Sequence, residues 1–291
     1  MKRARWIALG AAVFFLAFIL GVAVNFPGGA LSRVVQGQLN TAPGIEVSLE
    51  PFRMGLFGMR SGRMTVKEAS GGERRELLTL TDLRVPYSFS LFRGLPLRAV
   101  IGENGRLAVF ARWNGSEVLV EEFSAKLESF PGLIPHPGVV VKGQVTASGK
   151  IDLSAPVGAR SAQPAHEGGE FIGRGKAIHI TGISLAGIAI PEIQLEEITL
   201  KLKTGRAIQV EMIEVKGDAQ GKITGAVVPI PTRFADSRVS LTVSGSIRPE
   251  WLGKTGDMRP LIEGVFPGGR VEGAILGTMG NLTWSMAGGR Q

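Results

Sequence analysis

From Ile45 onward, apolar residues return at every second position for most of the chain. Ile45, Val47 and Leu49 alternate with Glu46, Ser48 and Glu50. The pattern is clearest at Ile178/Ile180, Ile183/Leu185, Ile188/Ile190, Ile193/Leu195 and Ile198/Leu200/Leu202, and it continues through Ile208/Val210/Met212 and Val239/Leu241/Val243. Successive side chains on an extended strand point to opposite faces, so a period of two specifies strands with one apolar and one polar face. Forty-one glycines and 16 prolines punctuate these runs. Asn104-Gly105 and Asn114-Gly115 stand between apolar runs, and Asn-Gly suits a type I′ turn, which needs positive φ at both central residues. Residues 95–122 therefore read as a β-meander. The whole chain reads as about 15 short strands with few helices. The expected fold class is mainly β: an elongated antiparallel β-region after an N-terminal helix. Two architectures satisfy the alternation, two sheets packed face to face or one long curved sheet with an apolar concave side.

Four stretches depart from the alternation. Residues 28–40 place Leu31, Val34, Val35 and Leu39 at helical spacing, which predicts a short amphipathic helix that caps the β-domain or lies on a bilayer. Residues 123–137 read as a short helix or a packed loop and divide the β-region into lobes at 41–130 and 138–291. Residues 155–170 have no apolar period and read as an exposed loop. Residues 249–266 carry helical spacing, with Trp251, Leu252, Met258, Leu261, Ile262 and Val265 on one face and Pro249 suited to the first turn.

Ahead of the β-region, residues 6–24 contain no charge. At about 1.5 Å per residue, a helix of this length crosses the hydrocarbon core of a bilayer. Trp6, Leu9, Phe14, Phe15, Leu16, Phe18, Ile19, Leu20 and Val22 form the expected membrane anchor. Lys2, Arg3 and Arg5 precede it and set the topology by the positive-inside rule, with the N-terminus cytoplasmic. A cleaved signal peptide is the alternative. The run is longer than a usual signal core and lacks a clean small-x-small exit at Ala23-Val24-Asn25. The reading divides the chain into a tip at 1–5, a transmembrane helix at 6–26 and a β-rich domain at 27–291.

The chain has no cysteine, which excludes disulfides, thiolate metal sites and cysteine nucleophiles. The net charge of +8 comes from dispersed residues, among them Arg33, Arg53, Arg60, Arg63, Arg74, Arg75, Arg93 and Arg98. No basic run is interleaved with aromatics, so nucleic acid is not an expected partner. A mild positive excess beside a membrane suits anionic headgroups, and equally suits a solvated face. His136, His166 and His179 each stand without a second ligand at metal spacing, and no nucleophile elbow or phosphate-binding loop occurs. Glu121-Glu122 and Glu196-Glu197 are adjacent on strands, which places the members of each pair on opposite faces. Catalytic, cofactor and metal sites are accordingly expected to be absent.

Residues 214–252 contain Gly217-Asp218, a strand starting at Gly221–Gly225, and Ser237-Arg238-Val239-Ser240-Leu241; SFPGL occupies 129–133. With the anchor, short helix and β-region, these features resemble the type II secretion system protein N (general secretion pathway protein N) family of the bacterial inner membrane. The resemblance implies a single-pass inner-membrane protein with its bulk in the periplasm. It further implies an accessory role in secretion through contacts with the secretin or the inner-membrane platform, and defines no catalytic residues. The layout is also similar to AsmA-like envelope proteins, through the closing strands at 271–284. That similarity implies the alternative function, lipid binding or transfer, with phospholipid shielded in an apolar β-groove.

Overall fold

The computed structural model describes residues 45–286 except 56, 71–72, 89–91, 114–116, 131–137, 153–167, 186–187, 206, 229 and 231–235. It also describes five positions of the preceding segment, Gly29, Ser32, Arg33, Gln36 and Gly37, all helical as expected for 28–40. There the Ser32 hydroxyl donates to the Gly29 carbonyl at 3.2 Å. The span read over 6–26, with every anchor residue and with Lys2, Arg3 and Arg5, lies outside the described residues. Among the described residues no helix is long and apolar enough to cross a membrane.

Seventeen strands follow in order: β1 Ile45–Leu49, β2 Arg53–Gly55, β3 Gly58–Ser70, β4 Glu73–Pro86, β5 Gly94–Ile101, β6 Gly105–Arg112, β7 Glu117–Lys126, β8 Val140–Asp152, β9 Gly169–Thr181, β10 Ser184–Leu185, β11 Ile188–Ala189, β12 Ile193–Thr204, β13 Ile208–Gly217, β14 Ala219–Val228, β15 Arg238–Ile247, β16 Arg270–Thr278 and β17 Asn281–Met286. All but β10 and β11 join one antiparallel sheet of 15 strands. Its order follows the chain from β1 to β17, with β1 and β2 sharing one flank of β3. Of the two architectures the alternation allowed, the chain adopts the single sheet.

Two irregularities shape it. The first is a recurrent β-bulge. In β12, Leu195 pairs with Gly217 and Ile198 with Val215 of β13, so Glu196 and Glu197 together occupy one outward step against Lys216; β9 bulges beside it at Ala177, opposite Gly143 of β8. Ala177 accordingly takes φ +50. β7 does the same between Val120 and Phe123, and β13 between Val210 and Ile213. A bulge bends its strand and adds twist, and a sheet this wide curls rather than lying flat. It also corrects an expectation. Glu121 with Glu122, and Glu196 with Glu197, share the outer face instead of being split between faces, because each pair sits in a bulge.

The second is the β5–β6 hairpin, whose turn is Gly102–Asn104 with Gly102 at φ +58. Gly105 is already paired with Ile101, and a Cβ on it would lie 2.5 Å from the Ile101 carbonyl oxygen. The glycine is needed for close approach rather than as the second residue of the expected type I′ turn.

The stretch at 123–137 begins as strand to Lys126 and passes into a 3-10 turn at Leu127–Ser129. At 249–266 the expected helix is broken in two: α1 Pro249–Lys254 and α2 Arg259–Val265, with Gly256 at φ +52 between them. Trp251, Leu252 and Met258 are buried, whereas Leu261 and Val265 are exposed, so only the first part of the expected apolar face is used.

Candidate functional site

The bulges keep inward residues paired with inward residues from strand to strand, so these residues form rows across the sheet. One row runs Ala125, Val145, Gly175, Ile198, Val215, Gly221, Gly245, Val271. The next runs Phe123, Ala147, Gly173, Leu200, Ile213, Ile223, Val243, Gly273, Met286. A third runs Val120, Gly149, Phe171, Leu202, Val210, Gly225, Leu241, Ile275, Trp284. No polar side chain enters any of the three. From β8 to β17 the sheet therefore presents one unbroken apolar and glycine-lined surface.

The same face continues into β3–β7, but there it is covered. Leu49, Phe52, Leu80, Leu83, Val85, Ala99, Ile101, Ala125 and Phe130 form a buried core, with Met59, Met64, Leu78 and Leu97 packed against it. Phe52, in the bend between β1 and β2, and Phe130, after the 3-10 turn, fold over the sheet; the Phe123 and Phe130 rings stack at 6.2 Å. Leu83 and Ile101 retain only 2% and 1% of their accessible surface. Among the described residues nothing comparable closes the second half. Along β14 and β15 the inward residues Ile223, Val227, Leu241 and Val243 stay half-buried. At the last strand Leu282, Trp284 and Met286 are 49%, 40% and 43% exposed. The result is an open apolar trough.

Glycine shapes the trough floor. A Cβ on Gly221 would lie 2.6 Å from the Ser244 carbonyl oxygen and 2.9 Å from the Cα of its cross-strand partner Gly245. Gly225 has φ +142, and a Cβ there would lie 2.2 Å from the Ser240 oxygen. These sites have backbone where a side chain would otherwise fill the trough.

One rim is closed by α1. The Trp251 indole donates to the Glu192 carbonyl at 3.0 Å, and Arg248 pairs with Glu196 at 3.0 Å. On the other rim a buried Thr204 hydroxyl accepts from Asp152 N at 2.9 Å and donates to Gly169 O at 3.2 Å, tying β8, β9 and β12 together. Buried Ser237 accepts from Ile230 N at 2.9 Å.

The outer face of the second half carries ion pairs between strands. Lys203 pairs with Glu211 across β12 and β13, Lys216 lies 3.6 Å from Glu197, and Lys150 lies 3.0 Å from Glu117. The hydrogen bond and charge of Glu211 raise the Lys203 pKa.

His179 is the one predicted histidine inside a described strand; His136 and His166 lie outside the described residues. Its Nδ1 lies 2.7 Å from a Glu192 carboxylate oxygen, a pairing that strand spacing alone did not reveal. That hydrogen bond holds the Glu192 carboxyl below its ordinary value. Among the described residues no three His, Asp or Glu side chains gather at metal-ligand distance. The arrangement offers apolar contact along a line, a binding surface for an extended hydrophobic chain. Comparison with protein-family models, with curated proteins and with solved structures finds no match for this chain.

Proposed function

We propose that this chain is a membrane-anchored envelope protein whose trough shelters lipid acyl chains, acting by binding and transfer without catalysing a reaction. The supporting observation is the charge-free inward face of β8–β17, continuous over eight strands and left uncovered by the described residues. A soluble surface rarely leaves so large an apolar patch uncovered unless a ligand or membrane covers it. Eight strands spaced by about 4.8 Å give a surface roughly 34 Å long, and one bilayer leaflet holds about 15 Å of hydrocarbon. Acyl chains therefore fit along it, and the absence of polar anchors suits a ligand that slides. The test is site-specific photo-crosslinking in cells, with a photoreactive residue at Leu241 on the inner face or at Thr242 on the outer face. Phospholipid adducts are expected at 241 and not at 242; adducts at neither, or equally at both, contradict the reading.

A second reading, an accessory of the type II secretion machinery that meets the secretin or the inner-membrane platform, is favoured by β17. Among the described strands this one ends the sheet, with all six residues exposed, and no described strand pairs with its outer backbone edge, which suits strand addition. Purification of the full chain from native membranes should then recover those components, and their absence counts against this reading.

A further inference from the structure

The outer face of the first half has a feature unlike the ion-paired face beyond it. Arg53 pairs in register with Arg60, Arg60 with Arg84, and Arg84 with Arg98, so four arginines stand side by side across β2, β3, β4 and β5. All four are exposed. Like charges directly opposite one another on a sheet destabilise it. The only carboxylate paired with the row among the described residues is Asp82, which accepts from Arg84 within the β4 bulge. A self-repelling row of this kind persists most readily where it meets an anion.

The neighbouring rim supplies the second observation. β2–β3, β4–β5 and β6–β7 all reverse direction at the same edge of the sheet. That edge carries Phe57 and Phe92, 81% and 85% exposed, together with exposed Tyr87 and Trp113. A hydrogen bond from Tyr87 N to Phe57 O at 3.2 Å holds two of these turns together. Arg60 stands two residues behind Gly58 and Arg84 two behind Pro86, so the row lies about 7 Å behind the ends of β3 and β4, and Arg98, four residues into β5 from Gly94, lies about 13 Å behind that strand's end. The headgroup layer of a bilayer is of similar thickness, roughly 5–8 Å per leaflet. With aromatic tips at the hydrocarbon boundary, the long arginine side chains reach forward from the row to the phosphates. Guanidinium matches phosphate through paired N–H donors, and aromatic side chains favour this interface. Beside the row is a cavity of about 650 Å³ lined by Arg93, Arg98, Arg112 and Phe110, with Glu117 and Glu121 at its far side. Glu117 is already engaged by Arg112 at 3.4 Å and Lys150 at 3.0 Å.

We propose that the arginine row and the aromatic rim of β2–β7 form a docking surface for an anionic phospholipid bilayer. The surface is separate from the trough: a chain whose trough holds no lipid still docks. The opposite rim carries the Gly102–Asn104 turn and the start of β1 at Ile45.

The absence of native cysteine makes a single label possible. The full chain with Phe92→Cys, or with Glu103→Cys as the opposite-rim control, is labelled with an environment-sensitive dye. It is reconstituted into phosphatidylcholine vesicles with or without phosphatidylglycerol, each containing a lipid-borne quencher. We expect quenching at position 92 that depends on phosphatidylglycerol and is released by high salt, with none at 103. Arg60→Gln and Arg98→Gln should each lower the docked fraction about fivefold, while Asp82→Asn should raise it. Because the glutamine variants relieve repulsion, their thermal midpoints should stay level or rise, which separates lost docking from lost folding. Quenching independent of phosphatidylglycerol, or equal at 92 and 103, would overturn the proposal. So would stronger shielding of the label by polyglutamate than by anionic vesicles, which would assign the row to an acidic polypeptide instead. The comparison of the two vesicle compositions requires no arginine variant.

Discussion

The two halves of the sheet share one inward face and differ in what covers it. In β1–β7 large side chains, Leu83, Ile101 and Phe123, meet Phe52 and Phe130 folding over from a bend and a connection, and the face becomes a core. In β8–β17 the inward positions alternate between branched aliphatics and glycine, and the face becomes a trough. The same alternation thus produces either a packed interior or a binding surface. Side-chain bulk and the connections decide which. The outer faces differ in the opposite sense. The closed half carries four arginines in line, and the open half carries cross-strand ion pairs.

The sharpest way to break this comparison is to delete equal amounts of hydrocarbon on either side of it. Leu83→Ala removes a side chain that is 2% exposed and should cost about 3 kcal/mol, transfer and cavity terms together. Leu241→Ala removes one that is only half-buried and should cost roughly 1 kcal/mol. Denaturant unfolding of the detergent-solubilised full chain measures both; equal losses would mean that the second half is as closed as the first.

A somewhat smaller effect is expected at the trough floor. Gly225→Val places a branched side chain at φ +142, with its Cβ driven against the Ser240 carbonyl. It should destabilise the protein by about 2 kcal/mol. If its thermal midpoint matches the wild type, the strands do not approach as closely as described.

The smallest effect is electrostatic. The hydrogen bond from Arg84 keeps the Asp82 carboxyl below its ordinary value of 3.8, against a weaker opposing effect of burial. A carboxyl whose folded pKa is depressed stabilises the fold above its unfolded pKa, and that stabilisation is lost as pH falls through the folded value. An acid titration below about pH 4 should therefore show a shallow loss of stability that Asp82→Asn flattens. The size is small because both partners are exposed. An unchanged acid limb in the variant would remove Asp82 from the account.

Much of this fold is legible in the sequence, because period-two alternation directly reports one wet and one dry face. The turn expected at Asn114-Gly115 lies outside the described residues; the strand content, the place of the β5–β6 reversal and the start of the 249–266 helix all follow from residue type. The bulges do not. Leu195 and Ile198 are three apart, and only their pairing with Gly217 and Val215, which are two apart, shows that both face inward. The arginine row was hidden for the same reason: Arg53, Arg60, Arg84 and Arg98 are scattered in sequence, and register alone aligns them. Whether the apolar face is covered depends on Phe52 and Phe130, whose reach over the sheet no local pattern encodes.

The trough itself is tested most directly by native mass spectrometry of the full chain released from lipid nanodiscs, beside the variant Leu241→Asp. The account predicts a phospholipid adduct on the wild-type chain that survives release, and its loss when a carboxylate is set in the middle of the trough. A wild-type spectrum showing the bare polypeptide mass alone, or an adduct that Leu241→Asp leaves unchanged, would contradict it.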